Sequence, residues 1–183
     1  MRRLPDLCAA LLLCAASAAA AEAPWRLDRA AELPAHRALA AARAASGDAL
    51  APFETDGCSG GMSAVWGFAA QRFPAFAAAQ GGRPPWEACC VAHDRLYHRA
   101  SDDPDPQASF AARLAADEAL RACVAEALGE AAFGLPPDLA PAAAAATADA
   151  MFLAVRLGGG PCTGLPWRWG YGRAPCGPFG GEL

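Results

Sequence analysis

A mainly α-helical protein built around a disulfide-tied antiparallel helix pair is the fold this sequence predicts. Three observations lead there. Hydrophobic residues make up 55% of the 183 residues, but the excess is mostly alanine, which favours helix and buries little area per side chain. Aromatic residues are only 8%, and β-branched residues are few, too few for a sandwich or barrel. An adjacent cysteine pair, Cys89 and Cys90, opens one helical segment, and a proline-rich turn separates it from a second segment that contains Cys123. The length suits one domain, or one domain with a tail. Net charge is −4, and all 15 basic residues are arginine. That balance argues against a nucleic-acid partner and against a polybasic grip on anionic membranes. Charged residues are 19%, too few for a disordered chain.

Residues 1–21 read as a signal peptide. Arg2 and Arg3 give a positive start, an apolar run follows to Ala16, and small residues lead to a cleavage site near Ala19–Ala21. The apolar run is short for a bilayer span. Residues 22–50 form an N-terminal segment, weakly amphipathic and interrupted by Pro34, expected as a loosely docked helix with His36 on a solvated face. Residues 51–183 form the domain proper, with its core at 56–128.

The domain opens with a loop around Asp56-Gly57-Cys58-Ser59-Gly60-Gly61. Glycines there let the backbone fold tightly and turn carbonyls inward. Val65–Gln80 carries Trp66, Phe68, Phe73 and Phe76, a pattern that fits core better than a lip for an apolar ligand. Pro84-Pro85 precedes a helix from Trp86 to Ala100. Ser101–Pro106 breaks it, and a second helix runs from Gln107 to Leu128. A third, alanine-rich helix runs from Pro137 to Leu157 and ends at Gly158-Gly159-Gly160. The Gly/Pro/Trp-rich tail is irregular. Within it Trp167–Tyr171 either meets an interface or covers the helix hairpin.

Export removes Cys8 and Cys14 and leaves Cys58, Cys89, Cys90, Cys123, Cys162 and Cys176. An even number in an oxidising compartment predicts three disulfides, with several pairings open. Cys162 and Cys176 bracket a short loop and most simply pair with each other. The informative stretch is Cys89-Cys90-Val91-Ala92-His93-Asp94-Arg95-Leu96-Tyr97. Residues four apart share a helix face, so Cys89, His93 and Tyr97 line one stripe and Cys90 and Asp94 the next. If the two helices are antiparallel and Cys89 bonds Cys123, His93 and Asp117 lie about 6 Å and about 9 Å from that bond, toward the same end. An imidazole then meets a carboxylate, which selects its tautomer and stabilises a developing imidazolium. If Cys90 bonds Cys58, Asp94 faces the Asp56 loop. Two carboxylates and loop carbonyls make an all-oxygen site suited to calcium. Zinc through Cys and His is the competing metal, disfavoured by export and the even cysteine count. A histidine base beside a divalent cation activates water and polarises an ester carbonyl. His98 points off this stripe and is expected in solvent.

The Cys-Cys-x-x-His-Asp-x-x-Tyr motif, followed by an aspartate six residues before another cysteine, resembles the secreted phospholipase A2 family over Asp56–Cys123. The Asp-Gly-Cys-Ser opening is similar to the calcium loop of its bacterial and fungal members. The resemblance implies a helix pair of phospholipase A2 type with extra N- and C-terminal segments. It implies His93 as general base, Asp117 as its orienting partner and Tyr97 bonded near Asp117. Calcium would be held by Asp94, Asp56, Gly57 and Gly60. The implied reaction is calcium-dependent hydrolysis of the sn-2 acyl ester of glycerophospholipids at a membrane or micelle surface, by a secreted or periplasmic monomer. Two features depart from the family. Leu96 and Ala116 occupy the positions of its second inter-helix bridge, where an apolar contact is expected instead. The stretch from Cys58 to Cys89 is long, which suggests an inserted helix or flap. The altered loop keeps open a second expectation, a non-catalytic lipid- or protein-binding module of the same family.

Overall fold

The computed structural model describes residues 28–58 and 62–177. The expected signal peptide, residues 22–27, Gly60 and the last six residues lie outside the described residues. Among the described residues six helices follow in order: α1 over residues 28–45, α2 Met62–Arg72, α3 Pro74–Gln80, α4 Glu87–Arg99, α5 Pro106–Leu128 and α6 Ala140–Gly158, with a 3-10 turn at Gly129–Gly134 before α6. No strand occurs among the described residues.

Local chemistry sets the hairpin between α4 and α5. Ala100 closes α4 at φ 58°, its N–H donating to the Leu96 carbonyl at 3.0 Å. Asp103 then accepts from the Asp105 N–H, and Asp105 accepts from the Ala108 N–H at 3.1 Å. That makes Asp105 the N-cap, with Pro106 in the first turn where its missing N–H costs nothing. The pairing is antiparallel: Cys89 bonds Cys123, His93 meets Asp117, and Tyr97 meets Arg113.

Spacing decides which faces are buried. Helix α4 buries Cys89, His93 and Tyr97 on one stripe and Cys90, Asp94 and His98 on the next. Helix α6 buries Ala140, Ala144, Ala148, Phe152 and Arg156, every fourth residue. Three small side chains in that row let α6 lie close along α5, its principal partner. By length and hydropathy α6 is apolar enough to cross a membrane, but here it contributes one face to the core and carries Arg156 inward.

The core has two apolar ends. One gathers Trp86, Cys89, Cys90, Leu120, Val124, Leu128 and the α6 alanines. The other gathers Leu39 of α1, Tyr97, Ala116, Trp169 and the Cys162–Cys176 bridge. In helix register, His93 of α4 falls between Cys89 and Tyr97, and Asp117 of α5 between Ala116 and Leu120, so the pair sits between the two ends. The three cysteine pairs are Cys58–Cys90, Cys89–Cys123 and Cys162–Cys176, with sulfur separations of 2.16, 2.01 and 2.02 Å.

Several sequence expectations need correction. Helix α1 is firmly docked, because Leu39 enters the core and Glu32 meets two arginines. His36 is buried at 1% exposure, its Nδ1 2.9 Å from Ser109 Oγ. His98 is buried too, because Gly172 has no side chain: a Cβ there would lie 2.3 Å from Nε2. Trp169 covers the hairpin, its ring centroid 5.1 Å from that of Tyr97. The α2–α3 stretch is not core. Val65, Phe68 and Phe73 are 69%, 66% and 55% exposed, and Trp66 makes the ring contact with Trp86 at 5.4 Å. At the family's second-bridge positions, Ala116 is buried but Leu96 is half exposed.

Candidate functional site

The two stripes of α4 carry the chemistry to two neighbouring cavities. His93 Nε2 lies 2.9 Å from Asp117 Oδ1. A carboxylate only accepts, so Nε2 carries a proton, and in the neutral ring Nδ1 is then the nitrogen with the lone pair. The Tyr97 hydroxyl donates to the same Asp117 oxygen at 2.7 Å, and its ring lies 4.1 Å from the imidazole, centroid to centroid. Arg156 Nη1 donates to the other oxygen, Oδ2, at 3.0 Å. Arg113 Nη2 lies 4.0 Å from Oδ2, while its Nε donates to the Tyr97 oxygen at 3.1 Å. Asp117 is fully buried, with partners at both oxygens: His93 and Tyr97 at Oδ1, Arg156 and Arg113 at Oδ2. Burial, reinforced by Asp117, holds the Tyr97 phenol well above its ordinary range, so it stays a donor.

Tyr97 fits because Gly159 leaves room. A Cβ at Gly159 would lie 2.7 Å from Tyr97 Cε1 and 2.7 Å from the Val155 carbonyl. The tail backbone closes over the same place, with Trp169 N–H donating to the Gly159 carbonyl and Gly170 N–H to the Tyr97 carbonyl.

Asp94 faces the loop that the Cys58–Cys90 bridge holds beside α4. Thr55 Oγ1 donates to Asp94 Oδ2 at 2.6 Å and accepts from the Gly57 N–H at 3.1 Å. Gly57 stands at φ 81°, and a Cβ there would meet Ser63 Oγ at 2.8 Å, so glycine is required twice over. Ser63 Oγ in turn accepts from the Cys58 N–H and donates to Glu87. Burial pushes the Asp94 carboxyl up, and the Asp56 charge adds to it against the pull of Thr55 and His93.

A cavity of about 330 Å³ is lined by Glu54, Thr55, Asp56, Asp94, Pro166, Trp167 and Tyr171. A smaller one, about 90 Å³, is lined by His93, Asp94, Tyr97 and the Cys58–Cys90 bridge, with Leu120, Met151, Ala154, Val155 and Trp167. Asp94 and Trp167 belong to both. One compartment carries three acidic side chains, Glu54, Asp56 and Asp94, beside Pro166, Trp167 and Tyr171, and the other is an apolar slot with an imidazole in its wall. Among the described residues no three His, Cys, Asp or Glu side chains cluster to hold a metal. The larger cavity is lined instead by the side chains of Glu54, Asp56 and Asp94 and the hydroxyls of Thr55 and Tyr171, hard oxygen groups of the kind calcium takes.

The residues singled out from sequence therefore fall into two groups. His93, Asp117 and Tyr97 form one hydrogen-bonded unit. Asp94 and Asp56 line one cavity, and Gly57 sits in the loop beside it. Sequence reasoning missed Arg113, Arg156, Glu32 and Thr55. Arg113 stands one turn before Asp117, the i, i+4 relation that puts both on one face. Arg156 is the only basic residue of α6, on a buried face otherwise made of Ala140, Ala144, Ala148 and Phe152, and a lone arginine on such a face invites the search for a buried acid. No family model, curated protein or solved structure matches the chain.

Proposed function

We propose that the protein is a secreted or periplasmic hydrolase of phospholipase A2 type, which cleaves the acyl ester at the middle glycerol carbon of a glycerophospholipid with the help of calcium. The single observation that carries this reading is His93, anchored to Asp117, in the wall of an apolar slot that shares Asp94 with an acidic cavity. Three disulfides are typical of proteins outside the cytoplasm. The exposed Val65, Phe68 and Phe73 give an apolar face for contact with a lipid surface.

His93 Nδ1 takes a proton from water as the water oxygen bonds to the ester carbonyl carbon. Asp117 keeps Nε2–H in place and stabilises the imidazolium. Tyr97 and Arg156 fix the carboxylate so that it does not turn away. As the tetrahedral carbon collapses, the ester bond breaks and His93 returns the proton to the departing glycerol oxygen. Leu120, Met151, Ala154 and Val155 offer an acyl chain an apolar wall and exclude bulk water. Asp94 and Asp56, beside the Gly57 loop, are the residues that would hold calcium, which when bound would supply positive charge to the carbonyl oxygen and the phosphate.

A phosphatidylcholine with a different acyl chain on each ester position tests the assignment. Mass spectrometry is expected to find free acid only from the middle carbon, together with the matching lysophospholipid. Release of the terminal acid instead would move the cleavage elsewhere. No release from the folded, oxidised protein would favour the non-catalytic binding module.

A further inference from the structure

Behind the His93–Asp117 pair, four charged side chains from three helices form a closed set. Two guanidiniums lean on one carboxylate: Arg156 at 3.0 Å and Arg113 at 4.0 Å from Asp117 Oδ2. Alone, that trio holds a surplus positive charge in the interior, directly behind the imidazole. Glu32 of α1 supplies the missing anion. Its Oε1 accepts from Arg156 and its Oε2 from Arg113. Asp28 also approaches Arg156 Nη2, but at 4.0 Å and from a half-exposed position.

Glu32 is itself held. Trp169 Nε1, which only donates, gives its hydrogen to Ser109 Oγ at 3.0 Å. Ser109 Oγ in turn lies 2.9 Å from His36 Nδ1, and His36 Nε2 stands 3.5 Å from Glu32 Oε2. Burial pushes the Glu32 carboxyl up, but His36 and the two guanidiniums outweigh it and hold it below the ordinary range. Glu32 is thus an anion under working conditions. The chain Trp169–Ser109–His36–Glu32 ties the C-terminal tail and α1 to the arginines that grip Asp117.

We propose that Glu32 is a positioning residue of the hydrolytic site: by balancing Arg113 and Arg156 it leaves the Asp117 charge available to His93 and makes α1 part of the working enzyme. This rests on the hydrolase reading above. The charged and titratable groups facing the quartet are His93 and Tyr97 from α4, and Asp28 and His36 from α1. Charge balance, rather than mere bracing, makes a specific demand. Removing Glu32 harms the site, and removing one arginine as well repairs it.

Full-length oxidised protein is assayed on phospholipid micelles as wild type, Glu32→Gln, Glu32→Asp and the double variant Glu32→Gln with Arg156→Gln. Glu32→Gln is expected to lower kcat about tenfold or more, the scale of one surplus charge a few ångströms behind the imidazole, with little change in KM. Glu32→Asp keeps the charge and most of the rate. The double variant, neutral again, turns over faster than Glu32→Gln alone, although it has lost more contacts. Nitrogen-15 spectra of His93 read the same effect without turnover. Glu32→Gln is expected to shift the Nε2–H resonance, and the double variant to move it back. A double variant slower than Glu32→Gln, or unchanged imidazole spectra in all variants, would overturn the inference. An inactive wild type whose imidazole spectra still follow the charge pattern would count against the hydrolase reading and leave the role of Glu32 standing.

Discussion

Replacing Asp117 with asparagine removes one charge and little volume from a position with no solvent exposure. The His93 Nε2 contact of 2.9 Å places the imidazolium and carboxylate charge centres about 4 Å apart. At the effective dielectric typical of protein sites, that pair is worth about 4 kcal/mol. In the transition state this becomes a loss of about a thousandfold in rate, since each 1.36 kcal/mol is tenfold. The asparagine amide also permits the wrong imidazole tautomer, which adds to the loss. Arg156 and Arg113 keep their positive charges and retain Glu32 as partner. Breaking a buried pair of this kind costs about 3–5 kcal/mol of stability, so rates are taken well below the melting temperature and beside a circular-dichroism melt. The assay is the initial rate of fatty-acid release from mixed micelles. A folded Asp117→Asn variant within threefold of the wild-type rate would refute the assignment of Asp117 to the histidine.

Other perturbations reach different parts of the structure. Gly159→Ala puts a methyl into contact with Tyr97 and the Val155 carbonyl. It is expected to destabilise by about 1–3 kcal/mol and to lower kcat, read by thermal melt and rate together. The pH dependence of stability should show His36, whose burial lowers its affinity for protons. The unfolded chain takes up the proton first, so stability falls as pH drops below the ordinary histidine value, about 6.5. His36→Gln is expected to flatten that part of the melting-temperature profile. Phe68→Ser with Phe73→Ser is expected to leave the melt nearly unchanged, because both rings are more than half exposed. The same variant should weaken binding to phosphatidylcholine vesicles about tenfold or more, since burying one such side chain is worth about 1.5–3 kcal/mol. Sedimentation of protein with vesicles measures it.

Much of the hairpin was legible because its signals are local. A four-residue period places Cys89, His93 and Tyr97 on one stripe, and the Ser101–Pro106 turn forces the two helices to run antiparallel. The charge cluster behind it was not legible in the same way. Glu32 lies 81 residues from Arg113 and 124 from Arg156, and no helical period relates residues so far apart. The docking of α1 follows from that long-range contact, which is why Pro34 and a weak apolar stripe pointed to a loose helix. His98 was misplaced for a similar reason, since its burial depends on Gly172 in the tail. The α2–α3 stretch misled in the opposite direction. Aromatic residues usually mark core, but two short helices offer too little partner surface, and only part of the stretch is covered.

The proposed function requires His93 and the Asp94 cavity, with calcium bound there, to act together on a phospholipid ester. The most direct test follows fatty-acid release from phospholipid vesicles by the oxidised protein, with calcium and with chelator, beside His93→Gln. Release is expected to need both the cation and the imidazole, with His93→Gln folded and inactive. Release at the wild-type rate by His93→Gln, or release indifferent to chelation, would contradict it.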